Sequence, residues 1–468
     1  MTHDRHPPAS IFHGLVLDTP EDPFSGGELR AGECALAVHD GVITFRGSLA
    51  EAQRLHPGAE VTQIDGVLLP GFVDTHVHYP QLRIIGGLGM PLLQWLDRCA
   101  LPEEARMADQ EYAQDVASEF VDGLVAAGTT TALVFGAHFA SATDALFATA
   151  YSKGLRMTAG LVVADQELRG DLLTTPERAA SEAAALIAAW HGKGKLRYAV
   201  TPRFALSASE ALLDSCRRTM ESAPDLFFTS HVNENPAEIA VVAGLFPNAS
   251  SYSDVYDRHG LLGQRSLLAH NVHPTDAELA RLAEAGTAVA HCPSSNSALG
   301  SGLFPLRRHL DAGVRVSLGS DVGAGTGFSH FKEGLQAYFH QQLQPDGLEL
   351  GPVHLLYLAT RAGALALGHD DVGHLGVGAV FDAVEVAPAP GTTLHAILRQ
   401  AGSADRALAG IFANGTSADI HRVWMGGVAS PARPGRDSSG HPTPEDPSSS
   451  FPPREPRRRG PLLLQGEP

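Results

Sequence analysis

Pro70-Gly71-Phe72-Val73-Asp74-Thr75-His76-Val77-His78, running on as Tyr79-Pro80-Gln81, is the stretch that organises the chain. An apolar run, Val67-Leu68-Leu69, meets a Pro-Gly turn, resumes as Phe72-Val73 and delivers two histidines one residue apart. Residues two apart on an extended backbone point to the same side. His76 and His78 can therefore present both imidazoles to one cation from a strand end. A bare H-x-H is more often a polar pair on a half-exposed strand. The apolar residues upstream and isolated histidines downstream favour the ligand reading here.

Downstream, helical runs alternate with strand-like ones. A helix over 110–127 precedes Thr131-Ala-Leu-Val-Phe135, and one over 142–153 precedes Met157-Thr-Ala-Gly-Leu-Val-Val163. A third over 175–190 leads to Arg197-Tyr-Ala-Val-Thr201, and a fourth over 209–221 to Phe227-Phe-Thr-Ser-His231. Ser266-Leu-Leu-Ala-His270, Ala288-Val-Ala-His291 and Arg315-Val-Ser-Leu-Gly-Ser320 continue the series. About eight strands with helical crossovers predict an α/β fold, a closed (β/α)8 TIM-like barrel over 70–371. An open doubly wound sheet is the rival, but it does not need so many polar residues at strand ends.

Residues 10–69 break into short alternating strands separated by Gly, Pro and Asp, which predicts a small antiparallel sheet. Phe381-Asp-Ala-Val-Glu-Val386 and Arg422-Val-Trp-Met-Gly-Gly-Val428 are strands of similar style. The two chain ends, 1–69 and 372–429, are expected to join as a small β-sandwich domain that the barrel interrupts. The stretch 430–468 is rich in Pro, Ser and Arg and is expected to be a disordered tail.

With 468 residues, a formal net charge of -18 and a pI near 5.6, the chain is a poor partner for nucleic acid or anionic membrane. Cys34, Cys99, Cys216 and Cys292 are widely spaced, as in a reduced, cytoplasmic protein rather than a disulfide framework. The first residues lack a signal-peptide core, and no apolar run is long enough to span a bilayer. A soluble intracellular enzyme is the expectation.

In a barrel, chemistry collects at the carboxyl ends of the strands. Those positions hold His76 and His78, Arg203, His231, His270 and Asp321. Singly, each is more often a buried, hydrogen-bonded polar group than a ligand. Together, three neutral imidazoles and one carboxylate suit a divalent ion such as Zn²⁺ or Fe²⁺ with room for a water. Such an ion lowers the pKa of bound water from ~15.7 toward ~7. Glu234, in His231-Val-Asn-Glu234-Asn-Pro236, is the candidate proton carrier, with capping of the next helix as its bland alternative. Thr201-Pro202-Arg203-Phe204 offers no lysine to bridge two metals, which favours one ion. Gly323-Ala-Gly325-Thr-Gly327 lacks dinucleotide spacing and reads as a tight turn.

These motifs resemble the amidohydrolase superfamily and, within it, the guanine deaminase family. The resemblance covers roughly 10–428. It rests on the H-x-H stretch through Gln81, Pro91-Leu-Leu-Gln-Trp-Leu96, Thr201-Pro-Arg-Phe-Ala-Leu-Ser207 and Ser230-His-Val-Asn-Glu-Asn235. His291-Cys-Pro-Ser-Ser-Asn296 with Leu299-Gly-Ser-Gly-Leu-Phe304, and Ser320-Asp-Val-Gly-Ala-Gly-Thr326, complete it. It implies His76, His78, His231 and Asp321 as metal ligands, with Glu234, His270 and Asp321 catalytic. Gln81, Arg203, Phe204, His231 and Glu234 would contact the base. It further implies one Zn²⁺ (or Fe²⁺) per subunit, a homodimer, and hydrolysis of guanine to xanthine and ammonia. Water would attack C2 while Glu234 protonates N3. A related enzyme acting on another purine, pterin, triazine or cytosine-like ring is the near alternative, and a barrel without catalysis, kept as a scaffold, is the distant one. Gly327-Phe-Ser-His330 departs from the family's serine and methionine near the expected pocket, and Ala379-Val380 replaces a common lysine. The apolar stretch 84–101 is expected either to cover the pocket or, preferably, to meet a second subunit.

Overall fold

The computed structural model describes residues 9–430. The chain begins with β1 (Ser10–Asp18), β2 (Arg30–His39), β3 (Val42–Gly47) and β4 (Glu60–Pro70). Next come the barrel strands β5 (Phe72–His78), β6 (Thr129–Phe135), β7 (Arg156–Gly160) with its short extension β8 (Val162–Val163), and β9 (Leu196–Pro202). β10 (Phe227–Val232), β11 (Ser266–His270), β12 (Ala288–His291) and β13 (Val316–Leu318) complete them. The chain then returns through β14 (Ala383–Val386), β15 (Ile420–Met425) and β16 (Val428–Ala429).

Among the described residues, every pairing from β5 to β13 is parallel. Hydrogen bonds close the ring between its first and last strands. Asp321 N donates to His76 O at 2.8 Å, His78 N to Val322 O at 2.9 Å, and Thr75 Oγ1 to Leu318 O at 2.8 Å. Asp74 adds a tie by accepting from Ser320 N at 3.0 Å and Ser320 Oγ at 2.5 Å. The crossover helices form where sequence signals place them. Asp109 caps Gln110–Ala126, Thr175 caps Pro176–Trp190, Ser209 caps Glu210–Met220 and Thr275 builds a capping box on Asp276–Ala285.

Val73, Leu133, Ala199, Phe227, Leu267 and Ala290 form one cluster of strand side chains, closed off by Leu367 and Val372. With one end of the barrel plugged by apolar residues, polar groups collect at the other, where the strands end.

The second sheet runs β16-β15-β14-β4-β1-β2-β3 and is built from both chain ends. It curls over its own core, where Phe12 stacks on Phe381 at 4.2 Å and meets Trp424 edge-on. Its edge strand β3 is met by the segment leading into β14, where Ile43 N donates to Ala379 O at 2.8 Å. Every pairing is antiparallel except β1 with β4. That parallel pair corrects the all-antiparallel expectation. A parallel neighbour needs a long crossover, which β2, β3 and the helix Leu49–Leu55 supply. The expected disordered tail falls, from residue 431 onward, outside the described residues.

Candidate active site

The two histidines of β5 reach one point, together with groups from two other strands. His78 Nε2 lies 3.2 Å from His76 Nε2 and 3.2 Å from His231 Nε2. Asp321 Oδ1 lies 3.2 Å from His76 Nε2 and 3.3 Å from His78 Nε2. All four side chains are buried. His270 closes in from β11, its Nε2 3.7 Å from Asp321 Oδ2, so that His76, His231 and His270 also converge. Phe135 at the end of β6 forms the apolar wall, its ring 4.7 to 4.9 Å from the rings of His76, His78 and His231.

The local backbone is bent to achieve this. Asp321 and His270 adopt left-handed φ values of 48° and 73°, which cost L-residues energy and persist only when neighbours enforce them. The Asp321 turn is enforced by its N–H bond to His76 O. The His270 turn is flanked by Asn271, whose N–H donates to Val232 O at 2.8 Å. Beyond Asp321 the chain doubles back so tightly that a Cβ at Gly325 would lie 1.8 Å from Ser320 O, and one at Gly323 2.2 Å from Gln81 O. The glycines that imitate a dinucleotide loop therefore serve a turn.

The donor set fits a divalent cation. Burial, only partly opposed by Asp321, lowers His76 to about 3, and burial with its histidine neighbours keeps His231 well below the ordinary range. Both are neutral imidazoles at physiological pH, the form that ligates. His231 Nδ1 donates to Arg203 O at 2.5 Å, which fixes the tautomer and leaves the Nε2 lone pair toward the cluster. Against the upward pull of burial, His76, His78 and His270 hold Asp321 well below the ordinary carboxylate range, so it is ionised. Spacings of 3.2 to 3.3 Å are the ligand–ligand edge expected around an ion with bonds of about 2.0–2.1 Å.

Glu234 stands at the open side of this cluster, its Oε2 3.5 Å from His270 Nε2 and its Oε1 accepting from Ser301 Oγ at 3.3 Å. Burial, reinforced by the charge of Asp321, raises it to about 8. Glu234 does not cap the next helix. Asn235 is the N-cap of Pro236–Leu245, and Glu238 completes the capping box and also accepts from Glu234 N at 3.2 Å. The bland reading of Glu234 is thereby removed. His270 is oriented from behind by Asn296, whose Oδ1 accepts from Nδ1 at 3.0 Å.

A small cavity opens against these groups, lined by His78, His231, Glu234, His270 and Asp321 on one side. Gln81, Arg203, Phe204, Leu92, Trp95, Leu96, Leu299 and Ala324 line the rest. Every site residue expected from sequence is therefore brought to one place, with His76 beneath the lining. Leu92, Trp95 and Leu96 are buried in this single chain, so the stretch 84–101 does cover the pocket. Gly327 and His330 do not line it. His330 is buried beside the Phe72 ring, stacked at 5.6 Å, away from the cavity wall. Ala379 is buried in the sheet built by the chain ends.

Two polar residues escaped the sequence reading. Glu104, from the helix Leu101–Ala105, accepts from Arg203 Nη2 at 2.8 Å and from Gln81 Nε2 at 2.7 Å. His138, just past β6, sets its Nε2 3.2 Å from Glu104 Oε2. His138 sits at a strand end like the other site residues, which was its available signal. Glu104, on a connecting helix, had none.

Comparison with known proteins identifies the family. Residues 67–429 match the amidohydrolase family. The chain is 57% identical over 429 residues to a probable guanine deaminase of Deinococcus radiodurans, covering 89% of this chain and 97% of that protein. The solved structure of E. coli guanine deaminase superposes with a TM-score of 0.87 at 35% identity, covering 91% of this chain and all of that one. A guanine deaminase from C. acetobutylicum, solved with guanine bound in its active site, gives 0.84 at 27% identity over 90% of this chain and all of that one. The chain belongs to the amidohydrolase family and, within it, to the guanine deaminases.

Proposed function

We propose that this protein hydrolyses guanine to xanthine and ammonia, using one Zn²⁺ per chain held by His76, His78, His231 and Asp321. Fe²⁺ suits the same donors. The observation that carries the reading is the sharing of one cavity by a buried His/Asp cluster of metal-ligand spacing, a buried glutamate and a guanidinium fork. When bound, the ion supplies Lewis acidity that brings the pKa of a water toward ~7.

The chain's own residues handle the base and the protons. Arg203 and Gln81 present hydrogen-bond donors to the carbonyl edge of the purine, and Phe204 lies against the ring. Glu234 gives a proton to N3 as water attacks C2, and it receives the proton that the water loses. It passes that proton to the 2-amino group, the C2–N bond breaks and ammonia leaves. The remaining C2 hydroxyl returns its proton to Glu234, so the residue ends as it began. His270, within reach of Glu234 and Asp321, faces the tetrahedral carbon. Leu92, Trp95 and Leu96 keep bulk water from the site.

The same reading extends to a cytoplasmic homodimer. Exposed Ile85 and Leu88, beside the pocket cover, support a contact with a second copy. No described helix is long and apolar enough to cross a membrane. The test is metal analysis of the purified protein coupled to an absorbance assay for guanine-to-xanthine conversion, with ammonia release measured over a panel of other amino-substituted bases. Turnover of another base in preference to guanine would overturn the substrate assignment.

A further inference from the structure

Neither polar group proposed to read the base stands free. Arg203 donates to Glu104 through Nη2 at 2.8 Å and Nε at 3.3 Å, and Gln81 donates to the same carboxylate through Nε2 at 2.7 Å. The Gln81 amide is pinned at its other end, where Oε1 accepts from Gly323 N at 3.2 Å, so its orientation is set. The guanidinium is held by its Nε and Nη2 edge, which leaves Nη1 outside that contact, and Arg203 lines the cavity. Glu104 itself is buried and is not among the residues that line the cavity.

The three residues come from the loop after β5, the loop after β9 and the helix between β5 and β6, and Glu104 and Arg203 are 99 residues apart. A buried guanidinium without a counter-charge would be expensive, and a flexible one would lose orientation each time a base binds. One carboxylate solves both problems for two recognition groups at once. It also leaves Arg203 able to donate hydrogen bonds without adding a net charge to the pocket.

We propose that Glu104 is a positioning residue, which presets Arg203 and Gln81 as a rigid pair for the carbonyl edge of the base. This rests on the guanine reading above. The competing explanation is that Glu104 merely anchors its helix, which continues the segment carrying Trp95 and Leu96 over the pocket.

The test is a double-mutant cycle on the zinc-loaded full-length protein: wild type, Glu104→Gln, Arg203→Ala and the double variant, with kcat and KM for guanine and metal content for each. Glu104→Gln is expected to lower kcat/KM about 10- to 100-fold, carried mainly by KM, with one metal ion per chain retained. In the Arg203→Ala background the same change is expected to cost several-fold less than in the wild type, because only the part of its effect that runs through Gln81 remains. Equal losses in both backgrounds, a fall confined to kcat, loss of metal, or no loss at all would each overturn the proposal. If Glu104→Gln does not accumulate as folded protein, Glu104→Asp keeps the charge, shortens the reach and is read by the same cycle. Absence of guanine turnover in the wild type would instead overturn the substrate assignment, and this inference with it.

Discussion

Replacing Glu234 with glutamine separates what this residue does for catalysis from what it costs the fold. The side chain is 3% exposed and raised to about 8, from its ordinary 4.5, by burial and by Asp321. The folded protein thus binds this proton more tightly than the unfolded chain. Below about pH 4.5 both states carry the proton, and there is no penalty. Between about pH 4.5 and 8 the unfolded chain releases it while the folded one retains it, so stability falls as pH rises through that window and is level above it. The full gap corresponds to about 5 kcal/mol, of which about 3 kcal/mol has accrued at pH 7. Glutamine is nearly isosteric and never ionises. Chelated Glu234→Gln protein should therefore be more stable than chelated wild type at pH 7. For a chain this long the gain is about 3 °C in Tm. The two melting curves should converge below about pH 4.5. With metal restored, turnover of guanine should drop ~10²–10⁴-fold through kcat, since the proton carrier is gone. The assay pairs thermal melts across pH 4–9 with steady-state kinetics and metal content. A Tm at pH 7 equal to or below that of wild type would refute the buried-acid reasoning, and near-wild-type turnover would refute the catalytic role.

Three further outcomes are expected. Asp18, buried in the sheet from the chain ends, accepts from Arg30 Nε at 3.0 Å, Arg46 Nη1 at 2.9 Å and Leu375 N at 2.8 Å, so Asp18→Asn should cost about 3 kcal/mol in denaturant melts. Burial raises the Asp18 carboxyl, but the Arg30 hydrogen bond and both guanidinium charges outweigh it and hold it below the ordinary range. That contribution is present at neutral pH and is lost as pH falls below the usual carboxylate value, so the Asp18→Asn and wild-type melts should draw together in acid. Trp95→Ala removes a wall of the pocket that is 2% exposed, and should lower stability by about 3–5 kcal/mol while raising KM more than it lowers kcat. Chelation should abolish turnover and added zinc should restore it, whereas His231→Ala should bind less metal and recover little, as metal titration by absorbance spectroscopy would record.

The barrel was legible because its signal is local and repeated. Apolar strands end in polar residues, and helices begin at Asp109, Thr175, Ser209 and Thr275, whose side chains can satisfy the first free N–H groups. The parallel seam between β1 and β4 was not legible, since nothing local distinguishes a strand that pairs in parallel across a crossover from one that pairs in a hairpin. His76, His78, His231, His270 and Asp321 could be read from their places at strand ends, because barrel closure sends such ends to a common rim. Their convergence to 3.2–3.7 Å depends on the left-handed turns at His270 and Asp321, which residue types alone do not announce.

Sequence by itself determined the alternation that makes the barrel, the residue types at its mouth and hence the kind of chemistry available there. Tertiary structure alone decided that Asn235 and Glu238 relieve Glu234 of capping, that Trp95 and Leu96 cover the pocket, and that Glu104 holds Arg203 and Gln81 together. The physical reason is range. Strand and helix patterns repeat every two to four residues and are written in neighbouring letters. A carboxylate that pairs with residues 23 and 99 positions away leaves no periodic trace, and its partners are fixed only when the whole ring closes.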